Sequence, residues 1–209
     1  MFSRIIDSVK DTLIKESEAI EEINANLDEE QINKIVELVM DCKGKIITTG
    51  CGTSAAAAKK IAHTLSCIEC PALFLSPSDA VHGGLGVVRN QDIVIVFSKG
   101  GETQEINNII PSCKVKGATI IAITESEGSY IAREADALLK IKVSKEPDDF
   151  NMLATSSILA TIAVFDAICI AITRFRGFTK EQFAVIHPGG KVGNTLKRKN
   201  KELEDVQDM

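Results

Sequence analysis

Tryptophan is absent from this sequence, tyrosine occurs once, and aromatic residues make up only 4% of the chain. Stacking of exposed bases or sugar rings on aromatic faces is therefore not an expected binding mode. A basic excess is missing too: 24 Lys and Arg stand against 29 Asp and Glu, a net charge of −5. Broad contact with nucleic acid needs a basic surface, so none is expected. The basic stretch "LKRKNK" near the end is followed at once by acidic residues and reads as a solvated tail. The opening "MFSRIIDSVKDTLIKE" carries charges every third or fourth position and lacks the apolar centre of a secretory signal. Six cysteines are present, but nothing marks the chain as secreted, so a disulfide framework is not expected. "CIEC", Cys67 to Cys70, has no second ligand pair for zinc and falls where a helix hands over to a strand. Structural cysteines, no metal, and a cytoplasmic location are the expectation.

One segment is long enough to cross a membrane, "MLATSSILATIAVFDAICIAI" from Met152 to Ile172. It contains Asp166, Ser and Thr near its start and many small residues, and it lacks basic anchors on both flanks. A buried helix of an α/β protein, covered by more than its own sheet, is the preferred reading, with no membrane.

At 209 residues the chain is expected to form one main domain. Ile5, Val9, Leu13, Ala19 and Ile20 share a helical stripe, and a second helix is expected from Asp28, with Gln31 completing a capping box. Short apolar runs then alternate with helical stretches. Strands are predicted at 45–49, 72–75, 93–97, 119–123 and 137–141. Helices are predicted at 54–66, 78–83, 103–116, 129–134, 153–175 and 180–184. Such alternation implies a five-stranded parallel sheet flanked by helices, with 1–42 as N-terminal helices packed on a 43–196 domain and 197–209 as a charged tail. Open parallel sheets bind ligands at the carboxyl ends of their strands. Four unusual turns follow predicted strands there: "GCGTS", "SPSDAVHGGLG", "SKGGET" and "ITESEGS".

In "GCGTS" a strand ends at Gly50, glycine recurs at 52, and Thr53 and Ser54 open an Ala-rich helix. Glycine lets backbone approach a ligand, and a helix start offers free N–H groups to an anion. "SKGGET" repeats the arrangement, with Ser98 and Thr103 hydroxyls around two glycines. Glu102 reads as a first-turn residue favoured by the helix dipole. Glu105, one turn on, is placed to face the reacting end of a ligand. His63, amid apolar neighbours, reads as structural.

Together "GCGTS", "SKGGETQE", "VSKEPD" and "FAVIHPGGKVGNTL" resemble the sugar isomerase (SIS) family from Lys43 to Leu196. Within it, "HGGLG" and "HPGG" are similar to the arabinose 5-phosphate isomerase branch. The resemblance implies a flavodoxin-like three-layer sandwich, a tetramer with active sites shared between subunits, and ribulose 5-phosphate to arabinose 5-phosphate isomerisation. It makes Ser54, Ser98 and Thr103 phosphate ligands, with Gly52 and Gly101 in the same turns and Thr53 nearer the sugar hydroxyls. Glu105, Glu146, His187 and His82 match its proton-handling residues. Aldose–ketose isomerisation needs a base near neutrality and a donor for the developing oxyanion, and no cofactor. The alternative for Glu146 is a surface ion pair with Lys145, and for His187 and His82 an ordering role in their loops.

Three departures from the branch stand out. Thr53 occupies a position where lysine is usual, and Ser98-Lys99-Gly100-Gly101 replaces Ser-x-Ser-Gly, with Lys99 able to restore the missing cation. The CBS regulatory modules of many relatives have no counterpart before Met209, so control through them is not expected. Isomerisation of another sugar phosphate (a hexulose phosphate), a deglycase, or a non-catalytic sugar-phosphate sensor are the alternatives.

Overall fold

The computed structural model describes residues 2–190 and 193. Helices α1 (Phe2–Ala25) and α2 (Glu29–Asp41) precede strand β1 (Ile46–Gly50), α3 (Gly52–Ser66) and β2 (Ala72–Phe74). A short α4 (Pro77–Ala80) and a 3₁₀ turn (Gly84–Val87) lead to β3 (Ile93–Phe97), α5 (Gln104–Asn107) and α6 (Ile110–Val115). Then come β4 (Thr119–Thr124), α7 (Tyr130–Glu134), β5 (Ala137–Lys140), α8 (Ser156–Arg176) and α9 (Lys180–Ile186). All strand pairs are parallel, in the order β2-β1-β3-β4-β5.

Alternation along the strands builds the layers, because successive side chains leave opposite faces of a sheet. Ile93, Ile95 and Phe97 join Ala57, Ile61, Phe165 and Ile168 on the α3 and α8 side. Val94 and Val96 join Ile106, Ile110 and Ile131 on the other. The fold is thus a three-layer α/β sandwich with an apolar core on each face of one parallel sheet.

Apolar helix α8 is long and apolar enough to span a bilayer by length and composition. In the structure it packs on α1 and α3 and buries Ala160, Val164, Phe165, Ile168, Cys169 and Ile172. It ends at Gly177, whose positive φ of 63° closes the helix with a bond from Phe178 N to the Thr173 carbonyl at 2.9 Å.

Several sequence expectations are corrected. The predicted 103–116 helix is broken into α5 and α6 around Asn108 and Ile109. Pro111, in the first turn of α6, has no N–H and its ring opposes the carbonyl four residues back, so one continuous helix is disfavoured. Asp28 does cap α2, accepting from Gln31 N at 2.9 Å. The reciprocal half of the box is replaced, because Gln31 Oε1 accepts from Lys140 N at 2.8 Å and ties α2 to β5. Only the second half of the α1 stripe packs inward: Ala19 and Ile23 are buried, whereas Ile5, Val9 and Leu13 are exposed. His63 is exposed and touches Cys67 Sγ through Nε2 at 3.6 Å. The six cysteines are free thiols. The stretch "LKRKNK" and the 197–209 tail lie outside the described residues.

Candidate active site

The chain passes from β1 out to β2 and then back across to β3, so the strand order reverses between β1 and β3. Ligands in open parallel sheets sit in the crevice outside such a reversal. Gly50 and Phe97, the last residues of β1 and β3, are register partners. The turns that follow them, 51–54 and 98–103, therefore stand side by side over the switch point. Gly50 permits the close return of α3, since a Cβ there would lie 3.0 Å from the Ser54 carbonyl. Gly52 opens α3 with φ of +57°, a conformation that side-chain-bearing residues rarely adopt.

The 98–103 turn is held by its own hydroxyls. Ser98 is buried, and its Oγ accepts from Gly101 N at 3.0 Å and pairs with Thr103 Oγ1 at 2.8 Å. Thr124 Oγ1, on the end of β4, donates to the Lys99 carbonyl at 2.8 Å. Gly101 has φ of +71°, and a Cβ on it would meet Ser129 Oγ at 2.0 Å. The "ITESEGS" turn thus braces the "SKGGET" turn from behind. Glu102 does not serve the helix that follows it; its Oε1 accepts from Tyr130 N at 2.7 Å and caps α7 instead.

Two hollows border these turns. A small, partly open hollow of about 30 Å³ is lined by Ser54, Ser98, Lys99, Thr124, Ser157 and Thr161, with apolar walls behind. A larger open cleft of about 690 Å³ is formed by Gly50, Gly52, Lys59, Ser76, Asp79 and Glu105 among others. Glu105 is exposed on the first turn of α5, and its charge together with burial pushes the Cys51 thiol up, burial being the larger cause. Thr53 is exposed beside Gly52. His82 is exposed in the turn after α4, and its N–H donates to the Asp79 carbonyl at 3.1 Å.

Glu146 is fully buried and pairs with Lys99, not with Lys145: Lys99 Nζ donates to Oε1 at 2.9 Å. Ser157 Oγ donates to the same oxygen, while Thr155 N at 3.0 Å and Ser157 N at 3.3 Å donate to Oε2. The carboxylate therefore sits on the N-terminus of α8, where the helix dipole also favours negative charge. Burial alone would raise its pKa, but the bonds from Ser157, Lys99 and Thr155 outweigh it and hold the group below the usual carboxylate range. With its folded-state value below the unfolded one, this group's stabilisation is complete above about pH 4.3 and is lost as pH falls through the folded value. Acid titration of thermal stability should accordingly show a smaller loss in Glu146→Gln than in the parent. Equal acid slopes in the two proteins would contradict this assignment. The same end of the sheet holds the buried hydroxyls of Thr49 and Ser156, which have no hydrogen-bond partner among the described residues. Buried polar groups are normally hydrogen-bonded, so these two are exceptions to that rule.

His187 is not brought into either hollow. It ends α9, with its ring stacked on Phe183 at 3.9 Å and Nδ1 at 3.1 Å from the Phe183 carbonyl. Helix α8 starts beside Glu146, near the carboxyl end of the sheet, and ends at Arg176, which reaches Cys70 Sγ at 3.1 Å just before β2. Helix α9 then starts at that opposite end, where Gln182 Nε2 lies 3.4 Å from Glu69 Oε2. Sequence reasoning missed Ser157 and Lys59. The available signals were the hydroxyl run opening α8 and the spacing of Lys59 seven residues after Gly52 on α3.

A family model for the SIS domain matches residues 39–171. The arabinose 5-phosphate isomerase KpsF of Escherichia coli O6:H1 is 38% identical over 192 residues, covering 92% of this chain and 59% of that enzyme. The chain thus spans less than two thirds of that relative. A Listeria monocytogenes protein described as a candidate sugar-phosphate isomerase superposes with a TM-score of 0.87 at 52% identity, over 88% of this chain and 97% of that one. An Escherichia coli CFT073 protein solved in complex with arabinose 5-phosphate gives 0.86 at 31% identity, over 89% and 98%.

Proposed function

The chain belongs to the SIS domain family, and on that premise we propose that it is a phosphosugar aldose–ketose isomerase interconverting D-ribulose 5-phosphate and D-arabinose 5-phosphate. One observation carries the reading. The Gly50–Phe97 register sets two hydroxyl-bearing glycine turns over the sheet's switch point, beside a cleft that contains an exposed glutamate. The relative solved in complex with arabinose 5-phosphate supports the choice of sugar.

In this scheme the phosphate is held at the Ser54, Ser98 and Thr103 hydroxyls, with Lys99 supplying charge. Glu146 holds Lys99 in place: its carboxylate is occupied by donors and kept ionised, so it positions rather than carries protons. Glu105 takes a proton from C1 of the ketose. The C–H pair forms the C1–C2 double bond of the enediolate, and the carbonyl pair moves onto O2. Return of a proton to C2, with transfer of the O1 proton to O2, yields the aldose. Phosphate contacts remote from C1 and C2 fix the reacting carbons against Glu105. His82, whose backbone N–H bonds the carbonyl of the cleft residue Asp79, is assigned as a second proton carrier. His187, at the end of α9 and outside both hollows, is assigned to the pocket of a neighbouring subunit in a homo-oligomer. The exposed Ile5, Val9 and Leu13 of α1 and Ile170 and Phe175 of α8 favour such an assembly; a cytoplasmic location without membrane contact is part of the same proposal.

The test is incubation with ribulose 5-phosphate in heavy water, followed by NMR. Arabinose 5-phosphate deuterated at C2 is the expected product. Binding without turnover would leave a sugar-phosphate-binding module, and neither would end the proposal. In the same assay Lys99→Ala should raise KM about tenfold or more, the scale of one lost charge-assisted phosphate contact. An unchanged KM would remove Lys99 from the phosphate site.

A further inference from the structure

Among the described residues, one cation lines the open cleft beside Glu105. Gly52, Ala55 and Lys59 are spaced three and four apart on α3, so they share a face, and all three line this cleft. Gly52 and Ala55 add little side-chain bulk to that face, and Lys59 Nζ lies 5.0 Å from the centroid of Phe74, which also lines the cleft. Its neighbour Lys60 is bridged to Asp166 on α8, and Lys99 is bridged to Glu146. Lys59, by contrast, forms no ion pair among the described residues. The carboxylates of Asp79 and Glu105 line the same space.

We infer that Lys59 is the electrophile of the sugar end, the group whose ammonium holds the developing oxygen anion of the enediolate. The inference rests on the isomerase reading above and assigns that site a residue with a distinct duty. A cleft whose ionisable walls were Asp79 and Glu105 alone would repel a negatively charged intermediate. When Glu105 takes the C1 proton, it becomes neutral and one unit of negative charge appears on O2. Lys59 meets that charge as a hydrogen-bond donor, and its ammonium interacts more strongly with the developing anion than with the neutral carbonyl, so it stabilises the transition state more than the substrate. The face of Phe74 keeps the flexible stem and the ammonium directed over the cleft. Lys99 then serves the phosphate and Lys59 the reacting oxygens, so the two cations should be separable in kinetics.

The experiment compares the parent with Lys59→Met and Lys59→Arg. It measures kcat and KM for ribulose 5-phosphate and the calorimetric affinities for inorganic phosphate and for 4-phospho-D-erythronohydroxamate, an enediolate mimic. Lys59 is exposed, so the variants should melt like the parent. For Lys59→Met, kcat should fall about 10²–10³-fold, the loss seen on removing one oxyanion donor, with little change in KM. Hydroxamate affinity should fall with kcat, phosphate affinity should hold, and Lys59→Arg should recover part of both losses. An active parent with an equally active Lys59→Met would overturn the role of Lys59 alone, leaving a solvated lysine stacked on Phe74. A loss of phosphate affinity matching the loss of kcat would overturn it by moving Lys59 to the phosphate end. A parent that neither turns over the sugar nor binds the hydroxamate would overturn the isomerase reading, and Lys59's role with it.

Discussion

Glu105→Gln should lower kcat for ribulose 5-phosphate by about 10²–10⁴-fold, the usual contribution of a positioned general base, while KM stays close to the parent value. The amide keeps the shape of the side chain but cannot accept the C1 proton. Glu105 is exposed and makes no hydrogen bond or ion pair among the described residues, so thermal stability should be unchanged. A second readout is independent of turnover. Burial and the Glu105 charge both raise the Cys51 thiol, so removing the charge lets the thiol ionise at lower pH. Cys51 should then be alkylated faster in the variant near pH 8, because the thiolate is the nucleophile. A kcat within about twofold of the parent would dismiss Glu105 as the base. An unchanged alkylation rate would remove Glu105 from the neighbourhood of Gly50 and Gly52.

Gly101→Ala is expected to destabilise the protein by about 2–4 kcal/mol, combining a left-handed backbone cost with overpacking. A Cβ at this position would lie 2.0 Å from Ser129 Oγ and 2.4 Å from Ser129 Cβ, on a backbone with φ of +71°. Rotating the Ser129 hydroxyl away would sacrifice its 2.7 Å bond to the Ser126 carbonyl and still leave the Cβ contact. Relief must come from moving the turn, which carries the Ser98 and Thr103 hydroxyls. For a chain of this size the melting temperature should fall by roughly 5–15 °C, and phosphate affinity should fall with it. Gly101→Ala/Ser129→Gly should regain the steric share but not the φ share, giving a positive coupling in a double-mutant cycle. Strict additivity would mean that the 98–103 turn is not set by its contact with the turn behind it.

The fate of two predicted segments shows where local reading succeeds and where it stops. Strand β3 is legible residue by residue because "IVIVF", Ile93 to Phe97, is a continuous apolar run, as a strand covered on both faces must be. The helix expected over 103–116 is instead two helices parted at Asn108 and Ile109, although the missing N–H of Pro111 is as local a signal as any. Glu146 is the opposite case. Its sequence neighbour Lys145 suggested a surface pair, yet its partners are Lys99, 47 residues before it, and Ser157, 11 after it. No periodicity encodes such distances.

Local chemistry along the chain specifies the alternation of strands and helices, the glycine-hydroxyl turns at the carboxyl ends of β1 and β3, and Glu105 one turn beyond the second of them. These are short-range properties: side-chain period, backbone freedom at glycine, and capping chemistry act within a few residues. The tertiary structure alone decided which turns are neighbours, through the β2-β1-β3 order that pairs Gly50 with Phe97. It also decided that Glu146 is a buried, donor-saturated anchor for Lys99. Likewise it put Lys59 in the cleft of Glu105 and left His187 stacked on Phe183 at the end of α9. Those outcomes depend on the sheet's strand order and on the direction in which α8 crosses it. Both are fixed by burying apolar faces over the whole chain, so no short window of residues contains them.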